Sequence, residues 1–424
     1  MISIHVPFLL SLWAKIESVY FKEIWQGRET EIKHPNHIKI LFNGSISTNA
    51  ILQCLLRHDI PTISVLKFNP ATDSWGIVAE SYPAIPDPYV FVRSLNVCLH
   101  RINTLIDRAI ASNSYGTPTT LPTKTQTDDI NVFDVIKFAI SGIYHKISSL
   151  IQSRFYQYDH WQMAYSASAT NPQKDWTLFF PKNDVLQADP FLWRNSDGAI
   201  HIFFEYMPYT TNKGVINHIS YTPDTGSFGP STTVLETPYH LSFPFLFEYQ
   251  EQIYMIPETG QNRTIEIYKA NPFPSTWEPC HIAMNDVIAN DTVLYFDGKL
   301  WWMFTSIGIA GQKNWDELSL FYSTHPFGEW SPHPQNPIKS DCRSARMAGN
   351  IFKDSHGRLI RPAQNCTHGY GVSITLCEIT ELSPTTYHEH IVEHIESPDG
   401  HTGIHTWNHL DGFTIFDVKN IQRK

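Results

Sequence analysis

The chain is short of charge, of paired cysteines and of any apolar run long enough to cross a bilayer, and each shortage removes a class of function. Charged residues make up 17% of the 424 residues, with 41 acids against 31 bases and a formal net charge of −10. Nucleic acid binding needs clustered Lys and Arg to displace counterions, so nucleic acid is excluded as a partner. The apolar start, Val6 to Trp13, is too short for a transmembrane segment and lacks a basic leader and a small-residue cleavage site, so the expected compartment is the cytoplasm. Cys54, Cys98, Cys280, Cys342, Cys366 and Cys377 form no Cys-x-x-Cys pair, and the histidines show no metal-ligand spacing. Buried free thiols and the absence of a bound metal are expected. The acceptor-like tripeptides at Asn262 and Asn365 carry no weight without a secretion signal.

What is present is a high aromatic share, 13%, which suits a β-rich fold with half-buried strands. Residues 116–131 hold few apolar side chains and two prolines, and read as a solvated linker. Before it, residues 1–115 read as a small α/β domain. Ile38 to Phe42 is a short strand, Ser47 can cap a helix reaching about Arg57, and Thr62 to Phe68 is a second strand, together one βαβ-like unit. Asn43-Gly44-Ser45 is not a glycine-rich phosphate loop and no acidic ribose ligand follows, so a docking or scaffold domain without cofactor is expected. After the linker, residues 132–157 read as a connecting helix. Its apolar stripe, Val132, Ile136, Ile140, Ile143, Ile147, Leu150 and Ile151, is expected to pack the small domain onto the large one, with peripheral membrane association as the alternative.

From residue 158 to 424 the sequence repeats. Five segments share a pattern of apolar strand, polar turn and apolar strand: Asp189 to Glu205, Phe243 to Glu258, Asp291 to Ser306, Ala348 to Gln364 and His405 to Val418. Their starts lie about fifty to sixty residues apart, the period of a four-stranded propeller blade. The predicted fold is mainly β, a five-bladed β-propeller preceded by the small α/β domain and the helix; side-by-side sheets are the structural alternative. The fifth segment is too short for four strands, and Trp161 to Tyr165 is expected to supply the missing strand and protect the edge.

These segments also resemble a known family. Ala188-Asp189-Pro190-Phe191-Leu192, His240 to Phe245, Ile256 to Tyr268, Asp316-Glu317-Leu318, Ala345 to Gly349, Arg361 to Cys366 and Gly369-Tyr370-Gly371 look like a bacterial family that shares its propeller with the N-terminal region of plant glucosamine inositolphosphorylceramide transferases. In the plant proteins the transferase activity is assigned to a separate C-terminal domain that is not found in this sequence, so the resemblance does not transfer catalysis. Residues 38 to 110 look like a shortened version of the formyltransferase-like segment of bacterial relatives, without a formyl-transfer motif. The propeller is also similar to the arabinanase and levansucrase type, glycoside hydrolase family 43-like, in which the Asp of an opening Asp-Pro serves as base or nucleophile. Asp189-Pro190 matches that pattern, whereas the start at which those enzymes carry an acidic Glu reads Arg346-Met347-Ala348-Gly349 here.

Strand starts and second-strand ends converge on one rim of such a ring. Two carboxylates across a sugar can divide glycosidic chemistry, one protonating the leaving oxygen and the other acting as nucleophile or base. Asp189 is the candidate base or nucleophile, Glu258 the acid, and Asp291 a group that holds hydroxyls or tunes a neighbour. Arg346 suits a phosphate, since its fork binds oxygen pairs. Glu205, Ser242 and Gln364 share the rim by position, and the matched motifs add Asn262, Arg263, Glu317, Arg361 and Tyr370 as substrate-binding candidates. His240 is expected to order the rim, and Asp189 and Glu258 have structural readings as a turn cap and a strand-end acceptor. The leading reading is a glycosyltransferase-type enzyme of surface-glycan or glycolipid assembly, with a sugar-phosphate or nucleotide-sugar donor and a glycan acceptor. The alternatives are a glycosidase and a non-catalytic glycan-binding propeller.

Overall fold

The computed structural model describes residues 38–112, 114–121, 130, 132–167, 175–180, 182–195, 198–308 and 314–423. The chain divides into two compact units, Met1–Leu150 and Ile151–Lys424.

In the first unit the strands β1 (Ile38–Phe42), β2 (Ile63–Asn69), β3 (Ser74–Ser81) and β4 (Thr117–Thr119) form one sheet in sequence order. Helix α1 (Thr48–Leu56) begins as expected, with Ser47 Oγ accepting from Asn49 N at 3.2 Å. The unit departs from a βαβ reading because β1 and β2 pair antiparallel, Phe42 opposite Ile63, so α1 is an excursion from one sheet end and not a crossover. Part of the expected linker is also strand, since Gly116 turns at φ +69° and residues 117–119 pair with β3 along its exposed edge. Helix α2 (Phe91–Ala111) covers the sheet with Leu95, Leu99, Ile102, Leu105, Ile106 and Ala109, a helical period with every member buried.

Helix α3 (Val132–Phe155) forms over the predicted residues. None of its residues is buried, and Phe133, Ile140, Ile143 and Leu150 are among the most exposed apolar side chains described. The other side of the helix makes the contacts with its own unit. Ser141 Oγ lies 2.6 Å from His58 Nε2, Phe138 stacks on His58, and His145 stacks on Tyr89 at 3.9 Å between centroids.

The second unit is mainly antiparallel β. Among the described residues it holds five sheets of four or five strands, each built from consecutive strands except the last. The opening pairs are Val185–Arg194 with Ile200–Pro208, Ser242–Tyr249 with Gln252–Glu258, Ile288–Phe296 with Trp301–Gly308, Phe352–Lys353 with Leu359–Asn365, and Trp407–Leu410 with Phe413–Arg423. These segments become strands because β-branched and aromatic residues fill their inward positions, leaving Phe191, Phe203, Phe243, Trp302 and Phe304 fully buried. The fifth sheet is completed from upstream. Strand β5 (Tyr156–Ser166) pairs antiparallel with the last strand, Ala164 opposite Phe416 and Trp161 opposite Lys419, and β6 (Thr177–Leu178) adds the edge. The strand expected from Trp161 to Tyr165 is therefore in place.

In the first three sheets the opening strand slips register by one bulge, between Ala188 and Phe191, Ser242 and Phe245, and Asn290 and Val293. A residue of each bulge takes a left-handed φ, 52° at Asp189, 46° at Phe243 and 52° at Asp291. Bulges re-aim side chains and left-handed conformations are strained for residues with a Cβ, so these positions are held by what their side chains and amides reach.

A chain beginning at Ile151 retains β5, whereas one beginning at Ala167 leaves the last strand without its partner. The longer chain is expected to be soluble and to melt cooperatively and the shorter one to aggregate, as size-exclusion chromatography and melting curves would show; equal behaviour would contradict a need for β5 beside the last strand.

Candidate functional site

The five second strands carry polar residues at matching positions opposite the start of the first strand. Glu205 and Glu258 lie opposite Ala188 and Ser242, Ser306 lies opposite Asn290, Gln364 N donates to Arg346 O and Asp417 N to Thr406 O. With the left-handed bulges these ends bring polar groups from all five sheets into one network.

The first knot joins the first, second and fifth sheets. Asp189 Oδ1 accepts from Thr406 Oγ1 at 2.7 Å and lies 3.0 Å from His405 Nε2, while Oδ2 accepts from Phe243 N at 3.2 Å. Asp417 accepts from the amides of His405, Thr406 and Asp189 at 2.9, 3.0 and 3.1 Å. His405 Nδ1 is 3.0 Å from Asp417 Oδ1 without hydrogen-bond alignment, so that contact is a charge pair. Burial alone would depress His405, but Asp417 and Asp189 outweigh it and raise the imidazole from 6.5 to about 10. Burial likewise raises Asp189, and the His405 charge with the His405 and Thr406 hydrogen bonds brings it below its ordinary value. The pair is thus an imidazolium between two carboxylates. The ligand atoms of Asp189, His405 and Asp417 lie within 4.8 Å of one another, yet their lone pairs already face protein donors and a cationic ring, a poor fit for a metal ion.

The second knot joins the second, third and fourth sheets. Arg346 donates through Nε to Asp291 Oδ2 and through Nη2 to Asp291 Oδ1 at 3.2 Å, and Gln364 Nε2 adds a bond to Asp291 at 2.9 Å. The arginine expected to grip a phosphate is therefore neutralised by a carboxylate, and its Cζ lies 5.0 Å from the Tyr370 ring centroid. Glu258 stands at the edge of this pair. Its Oε2 is 3.7 Å from Arg346 Nη2, too long for a hydrogen bond, and among the described residues that buried oxygen has no hydrogen-bond partner. Burial and then the Asp291 charge push the Glu258 carboxyl up to about 7, against the pull of Arg346 and Asn290. Burial also raises Asp291 above its ordinary value, Arg346 opposing.

Glu205 and His240 form a third contact, Nε2 to Oε1 at 3.1 Å. Burial lowers His240, and the Glu205 hydrogen bond and charge prevail to raise it. A second proton would have to sit on Nδ1, which accepts from Gly214 N at 3.0 Å, so the hydrogen bond opposes that upward shift and favours the neutral ring with its proton on Nε2. Burial raises Glu205 above the usual carboxylate range. Rings line the same region: Tyr370 lies 5.1 Å from His405 and 5.6 Å from Trp315, and Trp161 packs 4.1 Å from His405.

The structure thus brings together Asp189, Glu205, His240, Ser242, Glu258, Asp291, Arg346, Gln364 and Tyr370. Four other candidates are engaged elsewhere. Arg361, fully buried, forms a bidentate pair with Glu389 at 2.7 Å and donates to Ser344 O and Ala345 O, so it holds the segment carrying Arg346 and has no free face for substrate. Asn262 bonds Glu266 at 2.7 Å, Arg263 pairs with Asp286 on the surface, and Glu317 accepts from Ser340 Oγ. The ion pairs of Arg346 are with Asp291 and, at 3.7 Å, with Glu258. Sequence reasoning missed His405, Thr406 and Asp417 as site residues. The available signal was alignment of the segment ends, in which Asp417 takes the place of Glu205 and Glu258.

His405 gives the site a pH signature. Its folded pKa lies above the unfolded one, so its stabilisation is complete below about 6.5 and drains away as pH rises toward about 10. The melting temperature is expected to fall between pH 7 and pH 10, and His405→Gln to start lower and flatten that slope. A variant with the wild-type slope would remove the imidazolium from the network.

The family model described as "Glucosamine inositolphosphorylceramide transferase 1, N-terminal" matches residues 176–424. Glucosamine inositolphosphorylceramide transferase 1 of Oryza sativa subsp. japonica is 33% identical over 233 residues, 54% of this chain and 30% of that protein. The protein of the same name from Arabidopsis thaliana is 32% identical over 242 residues, 55% of this chain and 30% of the relative. The matched part of the chain thus spans under a third of the length of these curated relatives. Similar solved structures include an exo-β-1,3-galactanase from Clostridium thermocellum, at 13% identity and TM-score 0.41, covering 55% of this chain and 60% of that one. A family 117 glycoside hydrolase from Zobellia galactanivorans follows at 10% identity and TM-score 0.39, covering 62% and 92%. With its model matched from Trp176 to the last residue, the chain belongs to the family of the N-terminal domain of glucosamine inositolphosphorylceramide transferase 1.

Proposed function

We propose that the five sheets are the blades of a five-bladed propeller and that the network at their strand ends is a carbohydrate site acting on glycosidic bonds, with Glu258 as the general acid. The observation that carries this reading is the Glu258 carboxyl, raised to about 7 and holding a buried oxygen without a hydrogen-bond partner among the described residues. A carboxylic acid that keeps its proton near neutrality can protonate a leaving glycosidic oxygen. Tyr370, with Arg346 over its ring, and Trp315 add aromatic rings to the region, the kind of surface on which sugar rings pack. Sugar transfer is the reaction we favour, in keeping with relatives named glucosamine inositolphosphorylceramide transferase, with hydrolysis as the alternative.

The charge of the site bears on the donor. Among the described residues, Asp189, Asp291 and Asp417 are matched by the two cations Arg346 and His405, and Arg346 already spans Asp291. A neutral glycoside suits this balance better than the phosphate-bearing donor expected from Arg346 alone, because an added anion would meet cations that are already engaged by carboxylates. A second reading, a glycan-binding module without turnover, is favoured by Asp189, whose two oxygens are both committed to protein donors and leave no open base.

Glu258→Gln keeps the shape and removes the acid. With a ligand found by thermal-shift screening of oligosaccharides, phosphosugars and nucleotide sugars, the variant is expected to bind with little change and to lose on the order of 10²-fold or more in turnover. Wild-type turnover should fall as pH rises through about 7, where Glu258 loses its proton, and that limb should vanish in the variant. Full turnover by a well-folded Glu258→Gln chain would move the assignment to the binding module.

A further inference from the structure

The exposed stripe of α3 follows a stricter rule than amphipathicity. Phe133, Ile136, Ile140, Ile143, Ile147 and Leu150 are spaced alternately three and four residues apart, the a and d positions of successive heptads. Their exposures run from 48% at Ile136 to 80% at Phe133. The opposite side of the helix is fixed to its own unit by Phe138, Ser141 and His145, which turns the six side chains away from that unit. We propose that α3 pairs with the α3 of a second copy of this chain, in an antiparallel two-helix seam made by these six residues.

Three observations point to a copy of the chain as the occupant. The six side chains leave on the order of 600 Å² of apolar surface on each copy, so a pair buries roughly 1,200 Å², the lower edge of a stable specific interface. The residues flanking the seam, Lys137, Ala139, Tyr144 and Lys146, bring no like charges face to face when Ile140 meets Ile143 of the other copy. The next a position is Arg154, which a parallel pair would set against its own copy, whereas the antiparallel pair matches Phe133 with Leu150 and leaves Arg154 beyond the seam. A lipid surface fits less well, since the helix carries three bases, Lys137, Lys146 and Arg154, against Asp134, and Ser141, Ser148, Ser149 and Ser153 hold much of the remaining polar surface, short of the strongly basic face that anchors a helix to anionic membranes.

The test is sedimentation of the full chain over a concentration series. The expected mass is twice that of the chain, falling to one chain in Ile140→Lys/Ile147→Lys, with unchanged circular dichroism and melting because both positions are exposed. In a Cys280→Ser background, Phe133→Cys with Leu150→Cys is expected to cross-link two copies through a bifunctional thiol reagent, and Phe133→Cys alone is not. A wild-type chain that stays monomeric at tens of micromolar, or a dimer unaffected by the lysine variant, would overturn the proposal. So would a monomer that co-sediments with phosphatidylcholine–phosphatidylserine vesicles and loses them in the lysine variant, which would assign the stripe to lipid. Cross-linking through Phe133→Cys alone would overturn the antiparallel arrangement.

Discussion

His405 lies between Asp189 and Asp417, and the meeting of the first and fifth sheets depends on that charge sandwich. Asp189 holds a left-handed φ at a bulge, a strained position for any residue with a side chain. Its carboxylate offsets the strain by accepting from Thr406 and from Phe243 N, while its own amide donates to Asp417. One residue of the first sheet thus ties the second and fifth together. Removing one partner of such a buried set leaves a charge uncompensated, a loss of about 3–5 kcal/mol.

The same logic runs through the other buried charges. Arg346 is matched by Asp291, and Arg361 by Glu389, whose carboxyl is driven down to about 2 because Arg361 and Lys339 outweigh its burial. Arg361 also holds the carbonyls of Ser344 and Ala345, so the placement of Arg346 depends on an ion pair in the strand behind it. Glu258 is the exception in this set. It lies close enough to Asp291 to feel its charge and too far from Arg346 to bond with it, which leaves a proton-carrying group beside a neutralised pair.

The first unit obeys a different constraint. Its sheet is covered by α2, and α3 is attached to the same unit by polar and aromatic contacts. Hydrophobic seams of this length are costly to leave in water, so the physical question the helix poses is what it covers.

The repeat of strand, turn and strand was legible in the sequence because alternation and aromatic content follow from local chemistry, and the strand ends Glu205, Glu258 and Gln364 could be placed from it. The upstream origin of β5 was legible too, since a fifth segment with one hairpin needs another strand. Sequence alone could not separate Arg346 from Arg361: both sit in matched motifs, and only folding sets one beside Asp291 in the network and the other against Glu389 behind it. Nor could it show that Asp189 is held on both oxygens, because its partners Thr406, His405 and Asp417 lie more than two hundred residues away. The sequence determined which residues could carry charge into the interior; the tertiary structure decided which of those charges are cancelled, because cancellation depends on distances that only the packed sheets set.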